Sequence, residues 1–227
     1  MTWTRRRFLI GMGAGSVVFY RQVGAAVADG KPNTVVRYAM IHDEQLCNGC
    51  NLCVTACGKV NDVPEGARRL NIAHVVVASS AESDDYHYFR LSCQQCEQAP
   101  CIDVCPTGAS WRDETTGVVR VNRPQCIGCG YCISGCPYQA RYLNERTHVA
   151  DKCDFCLETR LSKGFDPICA TVCPQKALLF GREDSPKIQS WLKNNQYYEY
   201  QLPGVGKPHI YRRFAQHKIS KLEGKDS

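Results

Sequence analysis

Sixteen cysteines dominate the chemistry open to this 227-residue chain, and they fall into four groups of four with none left over. The first group is Cys47-x2-Cys50-x2-Cys53-x3-Cys57, and the second is Cys93-x2-Cys96-x4-Cys101-x3-Cys105-Pro106. The third is Cys126-x2-Cys129-x2-Cys132-x3-Cys136-Pro137, and the fourth is Cys153-x2-Cys156-x12-Cys169-x3-Cys173-Pro174. Thiols this dense serve disulfides, zinc, redox catalysis or iron–sulfur clusters.

The spacing separates these candidates. Cysteines two apart in tandem are badly placed for regular bridges, and the chain is not a small scaffold starved of core, since 44% of it is hydrophobic. Zinc uses pairs of C-x2-C, whereas C-x2-C-x2-C-x3-C supplies an awkward triplet plus one. A thioredoxin-like C-x-x-C needs only one pair in a βαβ setting. No C-x-x-C-H occurs for c-type haem, and no histidine lies two residues after a cysteine as a Rieske centre would suggest. His42, His74, His87, His148, His209 and His217 are scattered and read as surface or strand residues. Four [4Fe–4S] clusters use all sixteen thiolates, and the first and third groups carry the bacterial ferredoxin run, in which the fourth cysteine ligates the other cluster.

The elements around the groups follow from the same pattern. Two residues between ligands let a tight loop wrap three corners of a cubane, and Gly49, Gly128 and Gly130 sit where φ > 0 helps that loop. The fourth thiol turns away as a short helical segment begins. Between groups two and three, Ala109-Ser110-Trp111, a polar turn ending at Gly117 and the run at 118–121 predict a β-hairpin. Residues 85–145 thus read as one two-cluster unit. Groups one and four flank it and could form a second unit around it; sequential pairing of groups three and four is also open on spacing alone. The runs HVVVASS and YHYFRLS, around an acidic turn at 82–85, predict an antiparallel hairpin. Ser185 then Pro186 opens a helix through PKIQSWLKNN, with Ile188, Trp191 and Leu192 on one face. The stretch QYYEYQLPGVGKPHIYRRF reads as a loop-rich aromatic arm that packs over the clusters, with docking on a larger partner as the alternative.

The first 28 residues read as a leader. Arg5-Arg6 followed by Arg7-Phe8-Leu9 resembles the twin-arginine export signal, a weakly hydrophobic stretch covers 10–20, and Ala26-Val27-Ala28 offers a cleavage site. The alternative is a membrane-anchoring helix, against which Arg21 interrupts the apolar stretch. This predicts a periplasmic protein loaded with cofactor before export. Removing the four leader arginines from the 28 Lys+Arg leaves 24 against 22 Asp+Glu, so the net charge of +6 falls to +2. Thiolate-bound clusters make the loaded protein acidic, which argues against nucleic acid as a partner. Paired catalytic carboxylates, a Ser–His–Asp arrangement, a phosphate-binding glycine loop and the radical C-x3-C-x2-C motif are all missing, so the reading is a non-enzymatic electron carrier without a small-molecule substrate.

Four groups in this order, with CQQCEQAPCIDVCP as the second and DKCDFC opening the fourth, resemble the four-cluster iron–sulfur subunits of bacterial respiratory complexes of the dimethyl sulfoxide, polysulfide and tetrathionate reductase type. Within that set the leader TWTRRRFLIG, RYAMIHDEQLCNGCNLCVTAC, VNDVPEG and LPGVGKPHIYR are most similar to the NrfC-type proteins of formate-dependent nitrite reduction. The resemblance implies an α+β fold of two bacterial-ferredoxin-like modules, one inserted in the other, with a β-hairpin insertion and a loop-rich C-terminal arm. Its expected boundaries are 1–28 for the signal, 29–84 and 146–182 for the outer module, 85–145 for the inner module and 183–227 for the C-terminal extension. It implies Cys47, Cys50, Cys53 and Cys173 on one cluster and Cys57, Cys153, Cys156 and Cys169 on a second. Cys93, Cys96, Cys101 and Cys136 would hold a third, and Cys105, Cys126, Cys129 and Cys132 the fourth. Gly58 departs from the proline that follows the other groups but removes no ligand. A membrane partner would oxidise quinol and pass electrons through the clusters to a periplasmic multihaem cytochrome c, or to a molybdopterin catalytic subunit, with the protein held peripherally at the inner membrane by its partner. Lys152, beside Cys153, and Arg141 read as solvated surface charges, with a raised cluster potential as the alternative.

Overall fold

In the computed structural model, residues 36–79 and 84–214 are described. The leader and the tip of the expected acidic turn lie outside them. In chain order the elements are β1 (Tyr38–Asp43), α1 (Leu52–Val60), β2 (Leu70–Ser79), β3 (Asp84–Ser92), α2 (Pro100–Asp103), β4 (Ser110–Arg112), β5 (Val119–Val121) and α3 (Tyr131–Ser134). They continue with β6 (Arg141–Leu143), β7 (Ala150–Lys152), α4 (Ile168–Val172), β8 (Leu178–Arg182), α5 (Pro186–Asn194), β9 (Tyr198–Glu199) and β10 (Ile210–Arg213). Among the described residues no helix is long and apolar enough to cross a membrane.

A mixed sheet in the order β8-β1-β10-β9 organises the chain. β1 runs antiparallel to β8, with Met40 opposite Phe180, and parallel to β10, with Met40 opposite Ile210. Because β1 is central it is covered on both faces, and alternate residues go to different cores. Ala39 and Ile41 pack with Ile188, Trp191 and Leu192 of α5. Met40, with Leu178, Phe180 and Ile210, faces a core that contains Cys53, Cys57, Cys93, Cys153 and Cys169. The sheet therefore separates an ordinary helix from the thiols. That helix starts as expected: Pro186 occupies its first turn and Ser185 Oγ accepts from the Ile188 N–H at 3.4 Å.

One expectation is corrected here. The C-terminal stretch is loop-rich over residues 200–209, where Leu202 and Val205 pack with Cys96, Cys101 and Cys132 as expected, but its ends are strands: β10 is an interior strand of the sheet, with Ile210 and Tyr211 buried, and β9 pairs beside it. Ile210–Arg213 is only four residues with no alternation, and what makes it a strand is the long-range parallel partner β1.

Three hairpins stand outside this sheet: β2–β3, β4–β5 and β6–β7. The first two were expected; β2–β3 begins earlier, at Leu70, and carries a register shift between Val76 and Ala78. The third was missed, although its turn repeats that of the second. In DETTGV, Asp113 Oδ1 accepts from the Thr115 and Thr116 N–H groups; in NERTHV, Asn144 Oδ1 accepts from Arg146 and Thr147. Gly117 and His148 hold the matching left-handed position, at φ 67° and 56°. The strands β4, β6 and β8 each begin five residues after a Cys-Pro pair, so three of the cysteine groups launch a strand in the same way.

Candidate cluster sites

Helix packing brings the groups together in pairs. α1 carries Cys53 and Cys57 one turn apart and packs on α4, which carries Cys169, so group one meets group four. α2 carries Cys101 and packs on α3, which carries Cys132, so group two meets group three. The helical turns begin one residue before the third cysteine of groups one and three, earlier than expected. Tight loops precede them. Gly49 at φ 73° faces the Tyr88 ring and Gly128 at φ 69° lies against the His148 carbonyl, so a side chain at either position would collide.

All sixteen cysteines are free thiols. Cys47, Cys50, Cys53 and Cys173 line one cavity together with His42. Cys57 interacts electrostatically with Cys153, Cys169 and Cys156, and the Asn61 amide approaches the sulfurs of Cys57 and Cys156 at 3.6 and 3.5 Å. Cys96 interacts likewise with Cys93, Cys101 and Cys136, and Cys132 with Cys126 and Cys105. Cys129 lies exposed in its loop between Gly128 and Gly130. Members of each expected set thus lie near one another, apart from Cys129, for which no such neighbour is recorded among the described residues, while Cys53 also interacts with Cys169 of the second set. Among the described residues no three His, Cys, Asp or Glu side chains converge as a single-ion site requires. At the first set the thiols line a cavity instead of meeting at a point.

Exposure follows position in the series. Cys57, Cys153, Cys156 and Cys169 are all buried, as are Cys93, Cys96 and Cys101. The first and fourth sets each expose one thiol, Cys50 and Cys129 respectively. Burial pushes the Cys53 thiol up to about 11 and those of Cys96 and Cys153 up to about 12. Cys105 moves the other way: burial opposes ionisation, but the Ser110 N–H, at 3.4 Å from its sulfur, and the Thr107 hydroxyl hold it below the ordinary thiol range. The Ala150 N–H of β7 supplies the same kind of donor to Cys126, at 3.5 Å.

Cations line the inner sites, and the reading of Lys152 and Arg141 as surface charges is overturned. Arg141 is 5% exposed and its Nη2 donates to Cys101 Sγ and Ser110 Oγ, both at 2.9 Å. Lys152 is 2% exposed and donates to the carbonyls of Val119 and Cys153. Arg90, which the sequence reading passed over as an ordinary strand charge, is buried with its guanidinium 3.7 Å from both Cys153 and Cys169 Sγ. Burial works against the Arg90 charge, yet the neighbouring thiols outweigh it and its pKa is raised.

A buried polar node ties group one to group four. Arg69 bonds Asp151 at 2.8 Å, Asp154 at 3.1 Å and Asn61 at 3.1 Å, while Asp154 also accepts from the Cys156 N–H at 2.9 Å. Gln95 joins group two to group four by donating to the Cys153 carbonyl and accepting from the Val119 N–H, both at 2.8 Å. Of the histidines, His42, His74 and His87 lie on strands as expected, while His209 is a buried residue just before β10; His42 is buried too. His42 Nδ1 accepts from the Arg90 N–H at 3.2 Å, and burial, then Arg90 and Arg212, lower its pKa to about 3. Its neutral ring therefore carries hydrogen on Nε2, which is buried beside the first-set cavity without a partner among the described residues. Arg141 Nε and Nη1 are likewise buried donors without partners among the described residues. Cavity-lining thiols and donors awaiting acceptors fit a group that presents several sulfur atoms, as a [4Fe–4S] cluster does.

Comparison with known proteins gives the same picture. Residues 84–183 match a 4Fe-4S dicluster domain, and residues 32–109 match another of that description. The chain is 61% identical to the uncharacterized ferredoxin-like protein YdhX of Escherichia coli K12, over 97% of this chain and 99% of that one. It is 47% identical to protein NrfC of Escherichia coli K12, over 93% and 96% respectively. Identity is also 47% to the thiosulfate reductase electron transfer subunit PhsB of Salmonella typhi, over 82% of this chain and 96% of that protein.

Proposed function

The chain belongs to the ferredoxin-like iron–sulfur electron-transfer subunits, and from that premise we propose a periplasmic protein that carries electrons between respiratory partners on four [4Fe–4S] clusters. The observation that carries the reading is the grouping of fifteen of the sixteen cysteines, all but Cys129, into the four neighbourhoods described above. The first cluster belongs to Cys47, Cys50, Cys53 and Cys173, and the second to Cys57, Cys153, Cys156 and Cys169. The third belongs to Cys93, Cys96, Cys101 and Cys136, and the fourth to Cys105, Cys126, Cys129 and Cys132. In this reading groups one and four form an outer module around an inner one built from groups two and three, a nesting supported by the packing of α1 on α4 and α2 on α3.

Each cluster supplies one-electron redox chemistry at its site. The protein supplies thiolates, N–H donors to sulfur and burial for the two inner sites. Cys50 and Cys129, at opposite ends of the series, mark where it meets its partners. The reading gives the protein no substrate site of its own. The twin-arginine-like leader supports export of the folded, loaded protein, and the similarity to NrfC supports a role between a quinol-oxidising membrane partner and c-type cytochromes in formate-dependent nitrite reduction. A second reading, the iron–sulfur subunit of a molybdopterin-dependent reductase, draws on the equal identity to PhsB.

Anaerobic stopped flow tests the choice. The reduced holoprotein is mixed with the periplasmic multihaem cytochrome of nitrite reduction while the haem bands are followed. Fast haem reduction that saturates with cytochrome concentration supports the nitrite reading. Slow or absent transfer from protein with its iron intact sinks it in favour of the reductase reading.

A further inference from the structure

Arg69, Arg90, Arg141, Lys152 and Arg212 are buried Lys or Arg side chains. Two of them have carboxylate partners: Arg69 pairs with Asp151 and Asp154, and Arg212 with Glu44. For Arg90, Lys152 and Arg141 no ion pair to a carboxylate is found among the described residues. An uncompensated buried charge is strongly unfavourable, so an anion other than a carboxylate has to stand beside each of them.

Their positions identify that anion. Arg90 touches the sulfurs of Cys153 and Cys169 from the second set, and its charge also reaches Cys53 of the first. Lys152 bonds the carbonyl of Cys153 in the second set and that of Val119, which packs with Cys96 and Cys101 of the third. Arg141 bonds Cys101 of the third set, and its charge reaches Cys132 of the fourth.

We propose that these three cations are interleaved with the four cluster sites, one bordering each consecutive pair, and that each raises the reduction potential of both sites it borders. The proposal rests on the four-cluster reading. Reducing a site adds one electron and one negative charge, and a cation within a few ångströms in a weakly screened interior favours that state. An arginine guanidinium stays protonated throughout, so Arg90 and Arg141 balance the added electron without taking up a proton. Each cation has two neighbours, so its loss moves potentials in pairs. Simple packing side chains would not produce that pattern.

The test is EPR-monitored potentiometry on holoprotein variants, with iron and acid-labile sulfide measured on the same samples. Arg90→Gln is expected to lower two of the four reduction waves, each by about tenfold in its equilibrium constant, or about 59 mV for one electron. Arg141→Gln should lower the other two by a similar factor, and Lys152→Gln one wave from each pair. Full iron with unmoved waves, or one uniform shift of all four by every variant, overturns the proposal. Wild-type protein lacking iron and sulfide would instead defeat the four-cluster reading beneath it. Should a glutamine variant fail to load, the charge-restoring Arg90→Lys or Arg141→Lys is expected to recover iron. A lysine variant as empty as the glutamine one also overturns the proposal.

Discussion

In the proposed arrangement, the half of the molecule built from groups one and four and the half built from groups two and three use nearly the same cysteine pattern, but they are closed differently. In the second half all the thiols lie between Cys93 and Cys136, and α2, α3 and the β4–β5 hairpin join them locally. In the first half the thiols run from Cys47 to Cys173, and closure depends on α1 meeting α4 and on the Arg69 node. Long-range closure costs chain entropy that local closure does not, so the first half has to be held by specific polar bonds as well as by packing. A cluster motif does not hold itself together. The two halves show the same motif served by local turns in one and by a buried ion network in the other.

The largest break in that comparison should come from Arg69→Ala. It strips the guanidinium from Asp151 and Asp154 and from the Asn61 carbonyl, leaving buried acids unpaired. Breaking a buried pair in this way costs about 3–5 kcal/mol. Iron analysis should find about half the metal lost, with the second-half sites still loaded. Equal loss from both halves would show that the node is not specific to the first.

A smaller effect separates the loops. An alanine at position 128 would place its Cβ 2.6 Å from the backbone carbonyl of His148, whereas at position 49 the obstacle is the Tyr88 ring, which can turn away. Gly128→Ala should therefore destabilise the loaded protein by about 1–3 kcal/mol. Gly49→Ala should cost less. Denaturant midpoints for the two variants rank them, and the reverse ranking would contradict the account of the loops.

The mildest prediction concerns Glu183, a carboxylate bonded to His209 rather than a cysteine-loop residue. The carboxyl of Glu183 is held down to about 2, from an ordinary 4.5, first by its bond to His209 and then by Tyr211 and Lys207. A depressed carboxylate contributes stability that is complete above its unfolded value and lost as pH falls through its folded one. Wild type and Glu183→Gln should therefore differ in denaturant midpoint at pH 7, and the gap should close between about pH 4.5 and pH 2. A gap that is constant with pH would mean that the bond's contribution is not ionic.

Much of this was legible in the cysteines. Their spacing carried the family and the β4–β5 hairpin, because ligand spacing and turn residues are local signals, whereas it left the pairing of groups open. The N-cap at Ser185 was legible for the same reason. What failed depended on distant partners. Arg90 reads as an ordinary polar strand residue until the fold sets it against Cys153 and Cys169, 63 and 79 residues away. β10 looked like loop because its stabilising neighbour is β1, at the other end of the chain. The β6–β7 hairpin is the exception, a local signal overlooked: NERTHV repeats DETTGV, but histidine replaces the glycine that usually marks such a turn.

The most direct test of the central claim is a stoichiometry. Iron and acid-labile sulfide are counted per chain in protein purified without oxygen. Four thiol sets each holding a [4Fe–4S] cluster predict about sixteen irons and about sixteen sulfides. About eight of each, or iron without matching sulfide, would contradict it, because half the thiols would then have a different purpose.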